Sequence, residues 1–68
     1  MDSVYKIIEI VGTSESSWED AAKTALDTAA KTIDDIRVAE VSKLDIKMST
    51  DGNIFFRTKL KVSFKYRS

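Results

Sequence analysis

From Ile54 to Arg67 the chain alternates almost without a fault. Ile54, Phe56, Thr58, Leu60, Val62, Phe64 and Tyr66 fall on one parity, and Arg57, Lys59, Lys61, Lys65 and Arg67 on the other. A two-residue period sustained this long specifies a β-strand with one dry face and one basic face. Only Phe55 and Ser63 break the charge of the second set, so a slip of one residue would bury a row of cations. The register is therefore fixed, and the rest of the chain has to supply an apolar layer against one side of this strand.

Val4 to Val11 is rich in β-branched residues, too short for a helix, and followed by Gly12, which predicts a first strand ending at the glycine. Its apolar residues occupy both parities: Val4, Ile8 and Ile10 on one, Tyr5, Ile7 and Val11 on the other. That pattern belongs to a strand covered on both faces. Ser16 and Glu19 have the spacing of a reciprocal capping box, and Glu15, Glu19 and Asp20 suit the positive end of a helix dipole. A helix over 17–33 is expected, with Trp18, Ala21, Ala22, Ala25, Leu26, Ala29 and Ile33 on its apolar face. Mostly alanine, that face permits close approach to a sheet.

Ile36 to Met48 resumes the two-residue period, with Ile36, Val38, Leu44, Ile46 and Met48 on one parity, interrupted in polarity at Glu40 and Ser42. Glu40 lies in the apolar set and so calls for a cationic or backbone partner. Asp51, Gly52 and Asn53 then supply a tight hairpin into the alternating strand. The order is strand, helix, strand, strand. A right-handed crossover makes the first two strands parallel and lets the third lie between them, a three-stranded sheet in the order 1-3-2.

A single domain spanning residues 1–68 is expected, and a chain of 68 residues buries little surface by itself. Small proteins compensate with disulfides, a metal or self-association. Cysteine and histidine are both absent, which removes disulfides and the usual zinc or haem ligands and leaves self-association, with oxygen-liganded ions behind it. Geometry points the same way. A strand over the 14 residues from Ile54 extends about 45–48 Å, whereas a 17-residue helix covers about 25 Å, so the hairpin overhangs its helix. Apolar residues on the overhang, among them Leu44, Ile46, Ile54 and Phe56, need a cover that one chain cannot provide.

Eleven basic residues balance eleven acidic ones, so no net field recruits nucleic acid, and no apolar run approaches a membrane span. Met1, Asp2 and Ser3 lead straight into a strand pattern without a secretory leader, which places the protein in the cytoplasm. No catalytic motif is present, and without histidine or cysteine an acid–base pair would have to be two carboxylates, which no spacing here proposes; the chain reads as no enzyme. No EF-hand loop exists, and no set of metal ligands stands out. Calcium would need carboxylates of several subunits converging on a symmetry axis. Trp18, in phase with Ala22, reads as a packing residue rather than a ligand platform. The basic row from Arg57 to Arg67 reads as a partner for Glu9, Glu40 and Asp45 of neighbouring subunits ahead of a phosphate site.

Taken together, the run from Val4 to Ser14, the Ser17-Trp18-Glu19 helix start, Val38-Ala39-Glu40-Val41 and the closing Lys61-Val62-Ser63-Phe64 resemble the dodecins. The resemblance implies an α+β subunit of βαββ order whose antiparallel sheet wraps around one helix. It also implies a homo-oligomer, a hollow dodecamer built from trimers and two-fold contacts, that binds or stores a small ligand. Flavin-binding dodecins stack the isoalloxazine ring of riboflavin or FMN on a tryptophan at the start of the second strand and hold it with a glutamine on the third. Here those positions are Val38 and Arg57. An isopropyl group offers no stacking platform, and a guanidinium donates hydrogen bonds without accepting them. The departure implies weak or absent flavin affinity, and the combination resembles the tryptophan-lacking branch that includes the calcium dodecins.

Overall fold

A computed structural model describes residues 3–66. Three strands and one helix occur in the expected order: β1 (Tyr5–Ser14), α1 (Trp18–Ala29), β2 (Ile36–Met48) and β3 (Ile54–Lys65). The sheet has the order β1-β3-β2, with β3 antiparallel to both neighbours. Every residue of β1 opposes one of β3, from Tyr5 against Lys65 to Ser14 against Phe56. The alternating strand is thus central, as its fixed register demands. Arg67, the last cation of its basic row, lies outside the described residues.

β1 does not stop at Gly12. The strand continues through Thr13 to Ser14, and Gly12 sits inside it where the helix comes closest. A Cβ added at Gly12 would strike the Ala21 carbonyl and lie 2.9 Å from the Ala25 Cβ. Glycine is there so that two backbones can meet, with Ala21 and Ala25 as the matching small residues of the helix.

The helix is shorter than its apolar period suggested. It begins after Ser17, which is the N-cap in place of Ser16: the Asp20 amide donates to Ser17 Oγ over 3.0 Å. Ser14 Oγ donates to Asp20 Oδ2 (2.7 Å) and accepts from the Ser16 amide (2.9 Å), tying the end of β1 to the first turn of α1. At the other end the bonds tighten, with Lys31 and Thr32 amides donating three residues back. The β-branched residues Thr28, Thr32 and Ile33 favour that exit, and Asp35 turns the chain into β2 with φ of 60°.

β2 differs most from its sequence pattern. Its pairing with β3 shifts twice, between Ile36 and Val38 and again between Val41 and Lys43. Each shift is a β-bulge, an extra residue that reverses the parity of the strand beyond it. Ile36 pairs with Phe64, Ala39 with Val62, Val41 with Leu60, Leu44 with Thr58 and Ile46 with Phe56, all on the helix side. Val38 and Glu40 pair with Ser63 and Lys61, on the outer side. The single apolar parity expected for Ile36, Val38 and Leu44 is therefore wrong at Val38. Glu40 is exposed and imposes no burial cost, so the partner expected for a buried carboxylate is not required.

The core is small: Leu60, Val62 and Ala25, joined by Ile8, Ile10, Ala22, Leu26, Ile36 and Ala39. Thr58 is 1 % exposed, and its hydroxyl donates to the Trp18 carbonyl at 2.8 Å, so its burial leaves no polar atom stranded. Trp18 is a packing residue, as its phase predicts. Its ring meets Phe56 edge to face at 5.0 Å, and Nε1 donates to the Asp45 carbonyl at 3.1 Å, pinning the helix start across β3 to β2.

Candidate functional site

The outer face of the sheet is the side α1 leaves bare, and it carries both positions singled out from the sequence. Register arranges it in cross-strand rows: Ile7, Ser63 and Val38; then Glu9, Lys61 and Glu40; then Val11, Lys59 and Lys43; then Thr13, Arg57 and Asp45. One end is aliphatic and the other ionic. Val38 is 61 % exposed, and Ile7, across Ser63 in the same row, is equally so. By register the nearest aromatic on this face is Tyr5, one row further on.

Val38 and Arg57 share the face without meeting. Val38 stands opposite Ser63, six positions along β3 from Arg57, about 20 Å at the rise of a strand. At Val38 itself the chain offers an isopropyl group and no ring, so this position does not fit a stacked flavin.

At the ionic end the Arg57 guanidinium grips Asp45 with two hydrogen bonds, Nε to Oδ1 at 2.6 Å and Nη2 to Oδ2 at 2.8 Å. This fork matches the carboxylate plane. It arises because the bulge beyond Val41 restores Asp45 to the outer face directly opposite Arg57. These hydrogen bonds hold the Asp45 carboxyl below the usual carboxylate range, against a smaller upward push from partial burial, and raise the Arg57 pKa further. Lys59 Nζ lies 3.2 Å from Glu9 Oε2. Arg57 and Lys59 are thus paired inside the chain, where the sequence pattern pointed to Glu9 and Asp45 of neighbouring subunits.

Val11, Lys43, Asp45, Arg57 and Lys59 surround a shallow pocket of about 170 Å³. Ligand sites run from roughly 300 to 1,000 Å³, so this one falls short for a ring system in a single chain. Lys43 and Lys59 face each other across it, an unfavourable pairing that an anion or a neighbouring carboxylate relieves. Among the described residues no three acidic side chains gather into a metal site. Sequence reasoning missed that Ile7 shares the cross-strand row of Val38, on the far side of Ser63, with Tyr5 one row on. The signal was the double apolar pattern of β1, which placed Tyr5 and Ile7 on one parity.

A sequence model of the dodecin family matches residues 4–67. Calcium dodecin of Mycobacterium tuberculosis is 52% identical over 65 residues, spanning 96% of this chain and 92% of that protein. Its crystal structure, of a calcium chelating immunodominant antigen with a novel calcium-binding site, superimposes with a TM-score of 0.88 over 96% of this chain and 93% of the other. A dodecin variant from Thermus thermophilus, 33% identical, superimposes with a TM-score of 0.88 over 98% of this chain and 100% of its own.

Proposed function

The chain belongs to the dodecin family, and from that premise we propose that it is a non-enzymatic, self-assembling protein of the cytoplasm that forms a hollow dodecameric shell and binds a small ligand other than a tightly stacked flavin. The observation that carries this reading is the aliphatic end of the outer face. Val38 and Ile7 stand exposed there, where flavin-binding members present an indole. Each lost aromatic stack forfeits about 0.5–1.5 kcal/mol beyond area burial, and Arg57 is already engaged with Asp45.

Fluorescence-quenching titration with riboflavin and FMN tests the reading. Wild-type protein is expected to bind both weakly, in the micromolar range or above. Val38→Trp combined with Arg57→Gln is expected to restore tight binding by rebuilding the stack and the amide contact. Submicromolar riboflavin affinity in the unaltered protein would instead make it an ordinary flavin-sequestering dodecin.

Calcium is the second ligand, favoured by the 52% identity to a protein named for it. Among the described residues one chain gathers no three carboxylates, so a calcium site here would join side chains of more than one subunit. Calcium adducts on the intact assembly, lost on chelation, support that site; their absence at millimolar calcium removes it.

A further inference from the structure

The turn between β2 and β3 carries a reactive pair that the candidate site does not use. Asp51-Gly52 is the one place in the chain where an aspartate or asparagine precedes glycine. At such a pair no side chain shields the following amide nitrogen from the carboxyl carbon, so closure of a five-membered ring between them is least hindered. Asp27 and Asp45 are followed by the β-branched residues Thr28 and Ile46, which crowd the same approach. Asp51 and Gly52 are both exposed, and a Cβ added at Gly52 would meet nothing within 4 Å. Sterically, nothing around the pair stands in the way of the reaction.

Hydrogen bonds of the folded turn oppose it instead. The Gly52 amide donates to the Ser49 carbonyl over 3.1 Å, the bond that closes the turn. The Asp51 carboxylate reaches past Gly52: Oδ1 accepts from the Asn53 amide and Oδ2 from Asn53 Nδ2, each at 3.1 Å. Gly52, at φ of 90°, suits the last place of a three-residue hairpin loop. Nucleophile and carboxyl carbon are thus each engaged elsewhere. We propose that Asp51 is a site of spontaneous isoaspartate formation and that Asn53 sets its rate by holding the carboxylate. Once the protonated carboxyl is released, Gly52 N bonds to Asp51 Cγ, and the carboxyl hydroxyl leaves with the amide proton as water, giving a succinimide. Water then opens the ring at Cγ, restoring aspartate, or at the main-chain carbonyl carbon, which routes the backbone through Cβ. The second product has one more backbone carbon between Ser49 and Gly52. It misaligns the Gly52–Ser49 bond and the bond from the Ser49 amide to the Asn53 carbonyl (2.9 Å), next to the pairing of Met48 with Ile54. Isomerisation therefore frays the β2–β3 hairpin from its tip.

Ageing of the full-length protein at physiological temperature and neutral pH tests this, with isoaspartate read by methyltransferase labelling of the tryptic peptide 48–57, which Lys47 and Arg57 delimit. The native chain is expected to gain label at least about ten-fold more slowly than the same chain unfolded in guanidinium chloride, and native Asn53→Ala about ten-fold faster than native wild type, the scale of one lost hydrogen bond to a charged group. Asn53→Ser, a turn-compatible residue that also lacks the amide donor, is expected to behave like Asn53→Ala, with circular dichroism confirming that the variants stay folded. Equal rates for native and unfolded wild type would overturn the proposal, and so would an unfolded chain that gains no label in this peptide. Folded Asn53 variants as slow as wild type would overturn it too. The wild-type comparison stands whether or not a variant folds.

Discussion

Gly12 shows what a single hydrogen atom holds in place. Because a methyl group there would meet the Ala21 backbone and the Ala25 Cβ, Gly12→Ala forces the helix off the sheet. Overpacking of this kind costs about 1–3 kcal/mol, which urea denaturation should read as a lower midpoint with little change in slope. The sequence offered Gly12 as the end of a strand, because glycine is both a stop and a place of close approach and only tertiary contact decides. Asp45 supports a second expectation. Its pKa is depressed in the fold, so the stabilisation it brings is present above the unfolded carboxylate value and is lost as pH falls through the folded one. The melting temperatures of wild type and Asp45→Asn should differ at neutral pH and converge below about pH 4. A gap that does not narrow as the pH falls below the unfolded carboxylate value would mean that the pair is not what Asp45 contributes.

Among the elements, β3 was readable almost residue by residue, because each inward side chain is apolar or Thr58 and its outward neighbours are largely cations. β2 was not, because its two bulges exchange the faces of the stretch between them. Glu40 and Ser42 marked the trouble in the sequence, yet a broken alternation does not say where the extra residues sit. The difference is testable. Ala39 packs against the core and Val38 faces outward, the reverse of what unbroken parity gives. Ala39→Glu should place an unpaired carboxylate against Leu60 and Val62 and abolish the folded far-UV circular dichroism spectrum, whereas Val38→Glu should retain it. Loss of structure in Val38→Glu alone would put the bulges in the wrong place. The same register explains why Val38 and Arg57, paired as pocket positions by family resemblance, stand about 20 Å apart within a chain. The separation was hidden because it depends on a pairing that sequence spacing does not contain.

At the scale of the molecule, a helix of 12 residues, about 18 Å long, lies against strands of up to 13 residues. The described residues are elongated in consequence: 52 Å in their longest dimension, with a radius of gyration of 14.0 Å against about 11 Å for a compact chain of this length. This elongation was legible in advance, since strand and helix lengths come from periodicity alone and their mismatch is arithmetic. A chain so shaped, with Met48, Ile7 and Val38 among its most exposed apolar residues and no cysteine to staple it, is expected to complete its core by association. Native mass spectrometry of the purified protein, checked by sedimentation at nanomolar concentration, tests that claim most directly. One species of twelve times the 7.6 kDa chain, surviving dilution, is expected. A folded, stable monomer at nanomolar concentration would contradict it.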